Sequence, residues 1–537
     1  MAGNRPRLGA FFALAAALAA TALADDWPQW GGRDERNFVS GEKGIPASFA
    51  PARKEDKEKG IEAAPARNIK WVARLGSQTY GNPTVAGGKV FIGTNDASLK
   101  DPRLKKTKGG LVLCLDEATG KTLWQLPVPA MKTKDGNFNF DDMGLGICSS
   151  PTVDGDRLYL VTNRCDVLCL DVSGQANGND GPFQDEGRYM VGPGVLPTKP
   201  GKFSEWPEPP APVDVGAADG DIVWRYDMLA EVDTWPQDAA DCSIVVHGDY
   251  LYVCTSNGVD RSHRTRPSPN APDVIVLDKR TGQLVAGNAP PIGDAIFHGE
   301  WSSPSLIRPA AGPLVLWGGG DGFCYAFDPK PEPGADSKRG ILKTVWKFDC
   351  NPPHNKFRDG KPLGYNKGGQ GPSEVIGTPV VAGGRVYVTV GQDSRHGPGP
   401  GCLSCIDPTR TGDVTETARL WQYHDLGRSF STPSVADGLV FVADYGGKVH
   451  CVDAETGKPC WTHDLDARVW GSTFVVDGKV FIGDEKGKLT VLACSREKQV
   501  LATMTFDVPV YATPVAANGV LYVTTQTHLY AVRAEEP

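Results

Sequence analysis

One short pattern recurs eight times along this 537-residue chain, and its fullest copy is STPSVADGLVFVADYGGKVHCVDAETGKPCW, from Ser431 to Trp461. The pattern contains a small residue with Pro, a β-run, a Gly-bearing turn and a second β-run. A Gly-rich break, a third run ending in Asp, a T-G turn and a Trp complete it. A unit this small cannot bury its apolar faces alone and must stack on its neighbours. A repeat of about 40 residues carrying four strands is the signature of a propeller blade. The sequence therefore predicts an all-β chain, an eight-bladed β-propeller with four antiparallel strands per blade, over residues 69–533.

Inner strands are expected to begin at NPTV (Asn82), SPTV (Ser150), CSIV (Cys242), SPSL (Ser303), TPVV (Thr378), TPSV (Thr432), STFV (Ser472) and TPVA (Thr513). Alternation of apolar and polar residues supports strands in these runs and in those that follow them. The fourth strand carries Trp124, Trp224, Trp346, Trp421 and Trp461, whereas blades three and seven have only aliphatic or Met residues there. The eighth copy stops at Val532 without a fourth strand. Residues Ile69 to Val72 match an outer strand, so they are expected to complete the last blade and close the ring around Trp71. Closure removes free sheet edges, which otherwise invite aggregation.

Arg5 and Arg7, the apolar stretch from Leu8 to Ala20, and the A-x-A run at Ala22 to Ala24 read as a signal peptide over residues 1–24, cleaved near Ala24. That implies a periplasmic or secreted protein. No later run approaches the ~20 apolar residues of a spanning helix, so no transmembrane segment is expected. Residues 25–68 form a lead segment in which Trp27 to Trp30 should pack on the propeller and Lys54 to Lys59 should be exposed; residues 534–537 are a tail. A net charge of −8 argues against nucleic acid as a partner. Six of thirteen cysteines (Cys114, Cys169, Cys324, Cys405, Cys451, Cys494) read as one equivalent packing position in the third strand. Cys242 and Cys254 flank a short hairpin and could form a bridge across it.

Function is expected where the repeat is broken. The A–B and C–D turns are short, apart from a Gly/Pro-rich insertion at 172–220 in blade two, placed on the face of those turns. The opposite face carries the long loops 94–110, 126–146, 255–273, 350–376 and 390–402, the usual arrangement of a binding face. Three residues before each blade's Pro, or its equivalent, the chain passes the channel mouth. Tyr80, Cys148, Ala240, Trp301, Ile376, Phe430, Trp470 and Tyr511 stand there, with Asp238, Asp241, His298, Glu300, Glu374, Arg428 and Arg468 nearby. An aromatic ring around convergent charges suits a flat polar ligand. Arg428 and Arg468, in equivalent positions of adjacent blades, are expected to grip a carboxylate together. Ligand-binding candidates are therefore Tyr80, His298, Glu300, Trp301, Glu374, Arg428, Phe430, Arg468, Trp470 and Tyr511. His263, His298, His354 and His396 share this face without a metal-ligand spacing. In the insertion, Asp171, Asn177, Asn179 and Asp185 around NGNDG are a weak calcium candidate. No catalytic residue is assigned: there is no nucleophile elbow, P-loop or dinucleotide fingerprint.

The D-A-x-T-G-K-x-x-W turn, clearest at Asp116–Trp124 and Asp453–Trp461, joined to P-x-V-x-x-G-x-V-[FY]-[VI], resembles the pyrroloquinoline-quinone-type repeat of eight-bladed quinoprotein propellers. The resemblance covers about residues 69–533. It implies the fold, but the family includes both quinone-dependent alcohol dehydrogenases and a non-enzymatic propeller lipoprotein of the barrel-assembly machinery. The dehydrogenases' adjacent cysteine pair, calcium-ligand motif and haem motif have no counterpart here, so no cofactor is assigned, and pyrroloquinoline quinone with calcium stays open as a cofactor set without its expected motifs. The expectation is an exported non-catalytic scaffold that binds an envelope protein or small ligand on its loop-rich face. The alternatives are a quinone-dependent dehydrogenase with an atypical site at the channel mouth, and a carbohydrate-binding module with sugars stacked on Trp301, Trp470 and Tyr511.

Overall fold

The computed structural model describes residues 25–51, 67–131, 138, 140–192, 211–334, 339–366 and 369–533. The predicted signal peptide, the run Lys54–Lys59 and the tail 534–537 lie outside them. Eight antiparallel four-stranded sheets follow one another around a ring. Blade one contains Thr84–Ala86, Lys89–Asn95, Gly110–Asp116 and Thr122–Val128, from the channel outward. In the last blade Val515–Ala517, Val520–Thr524 and His528–Val532 are joined by Ile69–Arg74, with Trp71 opposite Ala531. The ring is thus closed by the strand around Trp71.

The repeat motif explains how blades adhere. In blade one Cys114 lies between Phe91 on the second strand and Trp124 on the fourth. The same sandwich is Tyr159–Cys169–Trp224, Tyr387–Cys405–Trp421, Phe441–Cys451–Trp461 and, at the closure, Tyr522–Ala531–Trp71. A small residue is needed where two large rings meet across one strand. Two of the six expected cysteines fall elsewhere. In blade four the position belongs to Ala326, between Leu316 and Trp346, and Cys324 is two residues along the strand. In blade seven it is Val491, between Phe481 and Ala502, and Cys494 lies beyond the strand end. Apart from Trp346, these indoles then reach into the next blade. Trp71, Trp124, Trp224, Trp421 and Trp461 donate from Nε1 to carbonyls of Glu117, Val172, Lys279, Ala454 and Ser495 at 2.9–3.2 Å. The T-G turn supplies the room: a Cβ on Gly120, at φ +70°, would lie 2.6 Å from the Trp71 ring.

The lead segment runs along the inner edges of the blades. Backbone N–H groups at the middle of the inner strands donate to it: Val85 to Trp27, Val153 to Pro28, Leu306 to Asp34, Val381 to Glu35 and Val475 to Phe38, at 2.8–2.9 Å. Asn37 bonds both backbone groups of Val435. Arg36, fully buried at φ +58°, donates to Ile244 O (2.7 Å), Pro304 O (2.9 Å), Trp30 O (2.6 Å) and Gln29 Oε1 (3.2 Å). Ser40 reaches Ala516 O at 3.5 Å. All eight blades are therefore tied to one fourteen-residue stretch, Trp27 to Ser40.

Three expectations about loops and thiols change. Besides the blade-two insertion, the C–D connections of blades four and five are long, and each lays a short parallel strand against the outer edge of the preceding blade: Gly340–Leu342 on blade three and Gly412–Asp413 on blade four. The blade-two insertion does not stay on one face. It leaves at Val172, bonds the outer strand through Phe183 N to Val223 O, and reaches the other face, where Arg164 donates to the carbonyls of Tyr189 (3.2 Å) and Gly192. Cys242 and Cys254 are free thiols, both directed at the Glu300 carbonyl (3.7 and 3.6 Å), and the other cysteines are free as well.

Candidate functional site

Above the lead segment the channel opens into a cavity of about 320 Å³. Trp30 contributes its floor, held by a bond from its Nε1 to Thr378 Oγ1 (3.1 Å). Ser243, Ser303, Thr378 and Thr432, at the starts of inner strands, form its lower wall. Above them stand seven of the eight residues marked by the repeat: Tyr80, Cys148, Trp301, Ile376, Phe430, Trp470 and Tyr511. In blade three the lining residue is Ala239, and Ala240 is buried. Met143, Leu145, Asp393, Ser394 and Arg395 from the long loops complete the rim.

The cavity has two unlike walls. Blades six, seven, eight and one supply a continuous aromatic arc. Phe430 and Trp470 have centroids 5.5 Å apart, Trp470 and Tyr511 5.5 Å, and Tyr511 and Tyr80 stack at 5.4 Å and 7°. Blade three, diametrically opposite blade seven, supplies Asp238 and Asp241. Burial lifts Asp238 to about 6, countered by Arg395, whose Nη2 lies 3.7 Å away. Burial lifts Asp241 to about 7, and the partners that lower it are its own backbone and the Cys242 thiol.

The other charged candidates lie outside the cavity lining, and each has a structural occupation. Arg428, 1% exposed, donates to the carbonyls of His396 (3.1 Å), Gly397 (3.2 Å) and Gly369 (3.1 Å). Arg468 lies over the Tyr445 ring at 5.4 Å. The two guanidiniums thus do not form the expected carboxylate grip, since both terminal nitrogens of Arg428 are used by loop carbonyls and Arg468 stacks on a ring. His298 is fully buried and bonds His263 (Nε2 to Nδ1, 2.9 Å); burial drives its pKa well below the usual range. His396 approaches His298 ring to ring at 6.2 Å, whereas His354 packs on His424 elsewhere. Glu374 accepts a hydrogen bond from Tyr365 Oη (3.0 Å), and burial raises it to about 8. Glu300 is buried against Asp273, and burial first, then that neighbour, pushes its carboxyl well above the ordinary range. Together these groups bind loops 255–273, 350–376 and 390–402 into one packed platform around the cavity.

In the insertion, Asp171 is taken by Arg157 Nη1 (2.5 Å) and Ser173 N (2.7 Å), and Asn179 by Glu186 and Gln184 (both 2.9 Å). Asp185 pairs with Arg188 at 3.8 Å, and Asn177 ends a short 3₁₀ turn. Among the described residues no group of three or more His, Cys, Asp or Glu side chains is arranged to hold a metal ion. Trp30, Asp393, Arg395, Met143 and Leu145 were not among the sequence candidates. Floor and rim come from segments outside the repeat, where no register marks them.

Residues 401–501 match the family described as outer membrane protein assembly factor BamB. No curated protein matches the chain in sequence. Among solved structures, BamB from Moraxella catarrhalis is 14% identical; the alignment covers 87% of this chain and 97% of that one, with a TM-score of 0.50. Quinohemoprotein alcohol dehydrogenase from Comamonas testosteroni is 15% identical over 96% of this chain and 81% of its own, with a TM-score of 0.46. A europium-containing methanol dehydrogenase is 13% identical over 94% and 98%, with a TM-score of 0.43. The chain thus resembles the pyrroloquinoline-quinone-type propellers, with the matched segment lying in blades five to seven. At such identities the structural likeness shows the fold and not a shared activity.

Proposed function

We propose that this chain is an exported, non-catalytic propeller scaffold that docks an envelope protein on its loop-bearing face. The observation that carries this is the platform itself. Its loops are pinned by buried polar groups (Arg428 to three carbonyls, Tyr365 to Glu374, His263 to His298), so they present a preformed surface. From it projects a hairpin, Phe357–Arg358 paired with Lys361–Pro362, on which Phe357 is 49% exposed. A large apolar residue displayed on a rigid base is suited to anchor a partner. The family match at 401–501 supports a role in outer-membrane protein assembly, and the apolar leader supports export. Among the described residues no helix is long and apolar enough to cross a membrane.

The quinone reading is weakened by the lining. Pyrroloquinoline quinone is a flat tricarboxylate. The cavity offers it Asp238, Asp241 and Asp393 against a single guanidinium, Arg395, and has no pair of adjacent cysteines. These residues do not fit that group. The sugar-stacking reading places Trp301, Trp470 and Tyr511 on an open platform, but they line a cavity with a floor and a rim, which suits a small molecule over a polymer. Site-specific photo-cross-linking in intact cells tests the docking proposal. A cross-linker at Phe357 is expected to capture one discrete envelope protein, and one at Asp437 on the plain face none. Capture from Asp437 alone, or from neither position, would sink it.

A further inference from the structure

We propose that the channel cavity binds a small organic cation, an ammonium group on a compact or flat apolar body, with Asp241 as its counter-charge and the arc from Phe430 to Tyr80 as its cage. This does not rest on the docking proposal: the cavity shares rim residues Asp393 and Arg395 with the platform, but Asp241 and the aromatic arc belong to the blades and not to the platform loops.

The charge balance comes first. Three carboxyl groups line the cavity and one guanidinium opposes them. Arg395 is committed at the rim: it is 56% exposed, lies 3.7 Å from Asp238 and touches Met143 Sδ at 3.7 Å. Asp241 is left without a cationic partner among the described residues. A carboxylate half-withdrawn from water at a cavity wall is costly to keep charged unless a cation joins it, and burial pushes Asp241 up to about 7. A neutral or anionic guest would leave that cost standing.

The opposite wall supplies what an ammonium group seeks. Aromatic faces carry negative electrostatic potential and attract cations within about 6 Å, most strongly at Trp and most effectively when desolvated. Phe430, Trp470, Tyr511 and Tyr80 form an unbroken arc, and Trp470 stands on the blade opposite Asp241. Trp301 adds a fifth ring from blade four, fixed by its Nε1 bond to Gln237 O (3.2 Å). A guest between the two walls meets rings on one side and a carboxylate on the other. The volume, near 320 Å³, holds about ten waters at ~30 Å³ each, enough for a ligand of amino-acid size.

Calorimetric titration of the full-length protein with choline, phenethylamine, benzoate and the uncharged carbon isostere of choline decides the matter. Choline or phenethylamine is expected to bind saturably. Choline should bind at least about tenfold tighter than its isostere, and benzoate should not bind. Asp241→Asn should erase the preference for choline while leaving the isostere unaffected, and Trp470→Ala should weaken choline. Three results overturn the proposal: equal affinity for choline and its isostere, no saturable heat with either cation, or a cation preference that persists in a folded Asp241→Asn protein. Should that variant not fold, the comparison of choline with its isostere on the unaltered protein decides alone.

Discussion

The two ends of the channel are built on opposite principles. At the plain end, Arg36 is fully buried and its guanidinium donates to four oxygens, while the inner strands of the blades close onto one short stretch of chain. At the mouth, acids stand beside too few donors: among the described residues neither carboxyl oxygen of Glu300 meets an N–H or hydroxyl donor, the Glu300 carboxyl lying against that of Asp273, one oxygen of Glu374 meets none either, and Asp241 shares the cavity with the aromatic arc. Satisfied buried polar groups stabilise, whereas groups left wanting a partner are where a ligand can act. The difference separates the end that holds the ring together from the end that is free to do something else.

Removing the closing strand gives the largest expected effect. A chain beginning after Arg74 loses both the stretch Trp27–Ser40 that ties the blades and the last blade's fourth strand with its Trp71 latch to Glu117, so cooperative unfolding of the whole ring should be lost in calorimetry. A preserved native-like transition would show that the seam is dispensable. Next, Arg36→Ala should lower stability in urea by about 3 kcal/mol, because buried acceptors lose a charged donor. A change no larger than that of a surface substitution would remove the contrast between the two ends.

A third effect depends on pH and belongs to the mouth. Glu374 is raised from an ordinary 4.5 to about 8 in the folded protein. The folded state therefore holds this proton over a range in which the unfolded chain has released it. The associated stability is complete below pH 4.5 and is lost as the pH rises through 8. Denaturation midpoints should fall over that window, and Glu374→Gln should flatten the fall; an unchanged slope in that variant would reassign it to other groups. Smallest of all, Phe357→Ser should leave the midpoint within about 0.5 kcal/mol of the parent, since the residue is half exposed, while abolishing cross-linking from neighbouring positions.

The repeat made the blades legible because each strand's apolar alternation survives in every copy, and the closing strand was readable because the run at Trp71 copies an outer strand. Register was read less surely. The third strand of blade four was aligned on its cysteine, whereas counting back two residues from its terminal Asp reaches Ala326, the residue that sits before Trp346. The positions around the cavity were visible from their spacing to Pro. Which charges enter it was not, since Arg428 and Asp241 look alike in sequence as polar residues near a mouth. The direction each takes depends on loops far away in the chain, such as the carbonyls at Gly369 and His396 that draw Arg428 aside. The floor at Trp30 and the rim at Arg395 belong to no repeat and carried no comparable signal.

The short parallel strands Gly340–Leu342 and Gly412–Asp413, with the bridge from Gln125 to Asp219, bear on a different kind of encounter. Each occupies a peptide ladder that would otherwise be open on a blade's circumference, as does the insertion at Val223. Blades one to four are thereby withdrawn from pairing with any extended segment of another chain. Among the described residues, the ladders of Arg419–Tyr423, Pro459–Asp464 and Val500–Thr505 have no such cover, and Leu420, Val500 and Leu501 lie exposed on them. Among the described residues the circumference is therefore divided between blades one to four, which refuse a visiting strand, and blades five to seven, which can accept one.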